Sequence, residues 1–370
     1  LTRILQCRDN SVSEISQNKP NAFEEERMQP EQRRQVGATG LQISQFGVGG
    51  TAFGNIYSAV EDAQVNATVD AAIAAGLNYF DTAPLYGFGL SETRLGQALT
   101  HHSRSSVVIS TKVGWRLEPL AAGEENPSLF ADAPRYRQVM DYSRDATLHS
   151  IEASLERLKT DRIDILLMHD PDEGITTHPG RNPYEVSHFV QAMQETYPLL
   201  EDLRRQGVVK AIGLGMNQWQ MLWDFAHAGD FDCFLLAGRY TLLEQAPLQR
   251  FLPMCIEKQI SIIIGGPYNS GILATGAREG AYYNYLPATP EILERVRQIE
   301  AVCGRHNVPL PAAALQFPLG HPAVAAIIPG ARSAAELQAN LDYFRYPIPA
   351  DFWAELKALR LIDPEAPVPA

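Results

Sequence analysis

In the segment NYFDTAPLYG an apolar run ends in Asp81, and Tyr86 follows a few residues later. A phenol exchanges protons near neutral pH only when something draws its pKa down from about 10, so Tyr86 needs a cation beside it. Lys112 closes the next apolar run, VVISTKV. A lysine in that position loses its hydration and needs a carboxylate, which Asp81 supplies. A further run, IDILLMHD, brings His169. Together the four side chains make a proton relay. Lys112, held charged by Asp81, stabilises the phenolate of Tyr86 and lowers its pKa, while His169 hydrogen-bonds and orients a substrate oxygen. Such a set polarises a carbonyl or removes the proton of an alcohol. It moves no electrons by itself, so a hydride carrier is implied. Each residue taken singly has an ordinary structural explanation; their coincidence at successive run ends carries the argument.

For the four to meet, the runs that carry them must be neighbouring strands. From Gln35 onward short apolar runs alternate with amphipathic segments, and ISQFGVGG, LNYFDTA, SVVISTKV, IDILLMHD, VKAIGLGM, FDCFLLAGRY, ISIIIGG and VAAIIPGA are the candidate strands. They are continuous rather than alternating in hydrophobicity, as parallel strands covered on both faces are. Between them lie helical patterns, with Ser91 and Ser143 as candidate caps and Gly76 and Gly207 as candidate stops. Eight strand–helix units predict an α/β fold of the (β/α)8 TIM-barrel type, with a doubly wound open sheet as the alternative. The segment RRQVGATGLQIS predicts an N-terminal β-hairpin that caps the barrel floor, and SAAELQANLDYF and PADFWAELKALR predict extra C-terminal helices. In a closed barrel the C-terminal strand ends converge on one mouth. That adds Asp170 and Asp172 after strand four and Asn217 after strand five.

Composition places this chemistry in a soluble globular protein: 45% of the 370 residues are hydrophobic and 20% charged. A net charge of −12 argues against nucleic acid or an anionic membrane as the partner and leaves a small molecule, bound by a monomer or small homo-oligomer. Cys7, Cys233, Cys255 and Cys303 are far apart and form no CxxC, so neither a metal site nor a disulfide framework is signalled. A reducing, cytoplasmic setting suits them. Residues 1–34 are polar and aperiodic, without a signal-peptide core, and are expected to be a disordered arm or a cloning remnant; residues 35–370 are expected to be a single barrel domain.

The chain resembles the aldo-keto reductase superfamily through GLNYFDTAPLYGFGLSETRLGQAL, VVISTKVG, IDILLMHDPD and IPGARSAAELQAN. The resemblance covers roughly residues 35 to 360 and implies Asp81, Tyr86, Lys112 and His169 as a catalytic tetrad. It also implies NAD or NADP lying extended across the barrel mouth. Cofactor contacts would come from Gly50, Thr51 and Asn217, from the Gly-rich turn Gly265, Gly266, Pro267, Asn269, Ser270 and Gly271, and from Gly330, Arg332, Glu336 and Asn340. Two family features are replaced, the strand-six Gln near Ala237 and the strand-seven aromatic near Gly265. Gly330 and Glu336 stand where NADP-preferring members carry Lys and Arg, and a carboxylate repels a 2′-phosphate, so NAD is favoured. Arg332 argues the other way.

Within the superfamily, GVGGTAFGN, DTAPLYGFGLSE, HDPDE, RYTLLEQ and GGPYNSGIL look like the aldose 1-dehydrogenase branch, which includes L-fucose, D-threo-aldose and L-galactose dehydrogenases and pyridoxal 4-dehydrogenase. The resemblance implies oxidation of a cyclic hemiacetal to a lactone. Tyr57, Trp115, Asp170 and Asp172, near predicted strand ends, fit a sugar-sized pocket, with Trp115 as a rim plug and Asp170 and Asp172 as loop anchors the alternative. The tyrosine-rich loop AYYNYLP is expected either to cover the site or to pack on the barrel. General aldehyde or ketone reduction and a non-catalytic nucleotide-sensing subunit are the alternatives. A metal hydrolase built on His169, Asp170, Asp172 and His178 is disfavoured, because the first strand ends FGVGG without a histidine pair.

Overall fold

A computed structural model describes residues 27–125, 128–173 and 181–369. Most of the expected arm, residues 1–26, lies outside the described residues, as does His178. One parallel sheet holds β1 (Val48–Gly49), β2 (Tyr79–Asp81), β3 (Val108–Val113), β4 (Ile165–His169), β5 (Ala211–Met216), β6 (Cys233–Ala237), β7 (Ser261–Gly265) and β8 (Val324–Ile328), each paired with the next in that order. Parallel bridges from Phe46 to Ile327 and from Gly49 to Gly330 bring the last strand back to the first. The ring is joined there by two bridges rather than a full ladder, and the open-sheet alternative falls.

Side chains alternate between barrel interior and helix-facing exterior along each strand. Ile165 and Leu167 cluster with Tyr79, Val108, Ala211, Cys233, Leu235, Ile263 and Ile328 inside the barrel, whereas Leu166 and Met168 belong to the layer under the helices. The expected hairpin pairs Arg33–Gln35 with Gln42–Ser44. Its Val36 and Ile43 complete the interior cluster, and the Gly37 N–H donates to Ser261 Oγ at 2.8 Å, at the start of β7. The hairpin therefore plugs the floor, starting two residues before Gln35, inside the segment expected to be an arm.

Ser143 caps the helix Arg144–Arg157, accepting from the Ala146 N–H, and Gly76 and Gly207 follow helix ends at φ of 81° and 74°. Ser91 is not a cap. The helix Leu90–Leu99 begins after Gly89, which places Ser91 in the first turn facing the strand ends; there it donates to Gly50 O at 2.7 Å and bonds Thr82 Oγ1 at 2.8 Å. The C-terminal helices are Ala334–Phe344 and Ala350–Ala358. Two further hairpins, Trp115–Pro119 with Tyr136–Met140 and Tyr282–Tyr283 with Leu286–Pro287, were not anticipated as paired strands. Among the described residues no helix is long and apolar enough to cross a membrane.

Candidate active site

Strand parity carries the tetrad inward. Asp81 shares the inner face with Tyr79, and Lys112 with Ser110; Asp81 lies opposite Ser110 and Lys112 opposite Leu167 across the ladders. Lys112 Nζ donates to Asp81 Oδ2 at 2.7 Å, to Thr82 O at 2.9 Å and to Tyr86 Oη at 3.1 Å. Ser110 Oγ donates to the other Asp81 oxygen at 2.6 Å, so the carboxylate is held from both sides. Room for the lysine comes from Gly215, where a Cβ would lie 3.3 Å from Lys112 Cε. The His169 ring meets Tyr86 edge-on at 5.7 Å between centroids. Its Nε2 lies 3.4 Å from Asp170 Oδ2, and its buried Nδ1 has no partner among the described residues. The motif SETRLGQAL supports the constellation from behind: Arg157 and Thr111 both donate to buried Glu92, and Arg94 donates to Asp62, Phe53 O and Asn55 Oδ1.

Burial alone would lower the Lys112 pKa; Asp81 and then Tyr86 outweigh it and hold the ammonium above its ordinary value. For Tyr86 the expected lowering is corrected. Burial raises the phenol pKa, Lys112 opposes it, Asp81 adds to the rise, and hydrogen bonds from Lys112 and Thr51 oppose again; the net direction is upward. The lysine limits the rise rather than reversing it, because part of its field is spent on Asp81. His169 is pushed well below the usual imidazole range by burial and by Lys112, so it is a neutral ring at neutral pH.

A cavity of ≈ 450 Å³ opens over Tyr86 and Asp81 and runs across the mouth to the turn after β7 and the end of β8. Thr51, Tyr57, Gly265, Gly266, Pro267, Asn269, Ser270, Gly271, Gly330 and Arg332 line it. Their roles divide. The Asn269 side chain donates to Gly238 O at 3.0 Å and accepts from Thr241, and Ser270 Oγ accepts from the Tyr285 N–H at 2.9 Å, so both side chains brace loops. The glycines leave space: a Cβ at Gly271 would meet nothing within 4 Å, and one at Gly330 only ordinary contacts, Ala52 Cβ at 3.8 Å and Gly49 O at 3.9 Å. A groove of open glycines ending at a buried phenol suits a flat, extended ligand with one reactive end, which a dinucleotide is.

The sequence matches the model of the aldo/keto reductase family over residues 45–361. This chain belongs to that family. It is 40% identical over 332 residues to a D-threo-aldose 1-dehydrogenase from Pseudomonas sp, covering 88% of this chain and 96% of the relative. It is 36% identical over 340 residues to a pyridoxal 4-dehydrogenase from Microbacterium luteolum, covering 90% and 98%. In fold it matches the holo form of an aldo-keto reductase from Bacillus halodurans with a TM-score of 0.68 at 23% identity, over 89% of this chain and 96% of that one. A glycerol dehydrogenase from Gluconobacter oxydans gives the same TM-score at 20% identity, over 90% and 98%. As a member of this family the protein is an oxidoreductase on a TIM barrel.

The other residues anticipated for this aldo/keto reductase sit around the cavity rather than on its wall. Gly50 backs Asp81, since a Cβ there would lie 2.6 Å from Asp81 O. Asn217 Nδ2 donates to Ala237 O at 2.8 Å, tying β5 to β6, and Asn340 accepts from Tyr268 Oη at 2.7 Å. Glu336 pairs with Arg332, accepting from its backbone N–H at 2.9 Å and facing its Nε at 3.4 Å. The buried Trp115 indole N–H faces the Asp170 carboxyl and favours its ionised form, without reaching a well-formed hydrogen bond. Burial, then Asp172 and Glu173, push Asp170 well above the usual carboxylate range. Asp172 is raised to about 6 by burial, against hydrogen bonds from its own amide and that of Gln218. Among the described residues no three His, Cys, Asp or Glu side chains gather as a metal site.

Sequence reasoning missed Arg239, Tyr268 and Asn284 as lining residues, and left the place of Tyr285 open. The AYYNYLP loop does both things expected of it in part: Asn284 and Tyr285 line the cavity, with Tyr57 near enough to the Tyr285 and Tyr282 phenols to interact, while Ala281 and Tyr283 pack on the barrel core. Arg239 carried a signal, a charge directly after an apolar run.

Proposed function

We propose that this protein is an NAD(P)-linked aldose 1-dehydrogenase that oxidises the anomeric hydroxyl of a sugar of the L-fucose, L-galactose or D-arabinose type to its lactone. The observation that carries the reading is the Lys112 ammonium bonded at once to Asp81 and to Tyr86 Oη at the deep end of a glycine-lined cavity. Tyr86 takes or gives the proton at the substrate oxygen, neutral His169 orients that oxygen, and Lys112 keeps the phenolate accessible despite burial. The nicotinamide, when bound, supplies the hydride acceptor and, in its oxidised form, a positive charge. Because the Tyr86 phenol is raised in the free protein, proton acceptance depends on alkaline pH or on an added positive charge. The likeness to a D-threo-aldose 1-dehydrogenase along nearly its whole length supports the substrate class.

NAD is the preferred dinucleotide in this proposal, since Glu336 holds Arg332 away from a 2′-phosphate and Gly330 offers no charge. The second reading is pyridoxal oxidation at the 4-position, favoured by the likeness to a pyridoxal 4-dehydrogenase; pyridoxal too reacts as a cyclic hemiacetal. A cytoplasmic setting is part of the proposal, supported by buried, unpaired Cys233, Cys255 and Cys303. The test is a panel of L-fucose, L-galactose, D-arabinose, D-glucose and pyridoxal, run separately with NAD and NADP and read by reduced-nicotinamide absorbance. Turnover of an aldose at least tenfold faster than of pyridoxal is expected; the reverse ranking overturns the sugar assignment.

A further inference from the structure

Among the described residues, three charged ones line the cavity over Tyr86: Asp81, Arg239 and Arg332. Asp81 is neutralised by Lys112 and Arg332 by Glu336. Arg239, two residues beyond β6, is bonded only to neutral oxygens, donating to Asn284 Oδ1 at 2.7 Å and to Gly238 O at 3.2 Å. No carboxylate among the described residues forms a salt bridge with it; Glu244 reaches it through Asn284, whose Nδ2 donates to Glu244 Oε1 at 2.9 Å, and the buried Asp172 carboxyl feels its charge without contact. Two bonds to one nitrogen leave most of its five N–H donors unspent. A half-buried guanidinium held in place by neutral partners is costly unless an anion completes it. Its neighbours are the bends that leave open space: Gly266 sits at φ 56°, and a Cβ there would lie 3.7 Å from Gly238 N.

We infer that Arg239 is the counter-charge for the diphosphate of the dinucleotide, gripping it between the β6 end and the turn Gly266–Gly271. The inference rests on the dinucleotide reading above. With a net charge of −12 the whole molecule repels a dianionic ligand, so a local cation is needed to hold one. Arg332, at the end of β8 and occupied with Glu336 and Ser58, is not free to do so. Asn284 is the positioning residue: it fixes one edge of the guanidinium and leaves the remaining donors for the ligand.

The experiment measures equilibrium binding of NADH by its fluorescence and of ADP-ribose by displacement of NADH. In Arg239→Gln both ligands are expected to bind about ten- to a hundredfold more weakly, as loss of a charged hydrogen bond requires. Arg239→Lys, which keeps the charge, should lose less than Arg239→Gln. Binding of ADP-ribose by Arg239→Gln within twofold of the unaltered protein, or an effect confined to the KM of the sugar, overturns the inference. The unaltered protein provides a check that needs no variant. Salt relieves the repulsion from the net charge and would tighten binding, so a Kd for ADP-ribose that rises with ionic strength marks the local cation, and one that falls or stays flat overturns it. If the unaltered protein binds neither NADH nor NADPH, the dinucleotide reading fails; if it binds and the variants bind alike, only the assignment of Arg239 fails.

Discussion

Tyr86 and Asp172 show how burial sets chemistry residue by residue. Removing the Tyr86 hydroxyl should remove turnover while leaving NADH affinity within about threefold, because the hydroxyl acts on the reacting oxygen and the ammonium of Lys112 still has Asp81 and Thr82 O. A Tyr86→Phe protein that keeps more than a hundredth of the activity would sink the mechanism. Asp172 is 6% exposed and its carboxyl is raised to about 6 from 3.8. Above pH 6 the folded state therefore holds a carboxylate that the unfolded chain ionises more easily, which destabilises the fold; below 3.8 both states are protonated and the penalty is gone. Asp172→Asn should accordingly be more stable by about 1–3 kcal/mol in urea unfolding at pH 7.5, and no more stable at about pH 3, below both values. Equal stability at pH 7.5 refutes that reading. The types of these side chains were legible in the sequence; the direction of the Tyr86 shift was not, because desolvation depends on every neighbour that excludes water.

Elements rather than single contacts place the phenol. The 3-10 turn Gly50–Gly54 lies directly on the Tyr86 loop, and Gly87, at φ 63°, would put a Cβ 2.4 Å from Gly54 O. Gly87→Ala must displace that loop, and a shift of this kind should lower kcat about a hundredfold with NADH affinity changed far less. An unchanged kcat would show that the loop does not set the geometry. At the far end of the cavity, Glu336 in the first turn of the helix Ala334–Phe344 ties up Arg332. Glu336→Arg frees one cation and adds another, so the NADP/NAD ratio of kcat/KM should rise about tenfold or more; a constant ratio removes the basis for preferring NAD. Strand identities were readable from continuous apolar runs, and Ser143 from its cap position. The hairpin Tyr282–Pro287 was not readable as paired strands, because two-residue strands leave no periodic signal and are held, through Asn284 and Tyr285 in the turn, by Glu244 and Ser270 from distant segments.

For the whole molecule, the barrel is a floor plug, a packed interior and a mouth. A dinucleotide held at the mouth by β1, β6, β7 and β8 bridges strands that are otherwise joined across the β1–β8 seam by two bridges. At a hundred times its Kd, NADH should stabilise the fold by about 2.7 kcal/mol and raise Tm by a few degrees; a Tm unmoved at that concentration would mean that the dinucleotide does not bind the folded barrel. The sequence by itself determined the eight-unit barrel, the floor hairpin and the meeting of Asp81, Tyr86, Lys112 and His169, the four residues proposed as the tetrad. It could do so because strand parity and run ends are local features, and a closed barrel gathers run ends at one mouth whatever the helices do. Tertiary structure alone decided three things: that Tyr86 stays a phenol beside its lysine, that Glu336 pairs with Arg332, and that Arg239 stands in the cavity wall with no salt bridge among the described residues. Each depends on which groups from distant strands share the same desolvated space, and in the chain itself those groups are far apart.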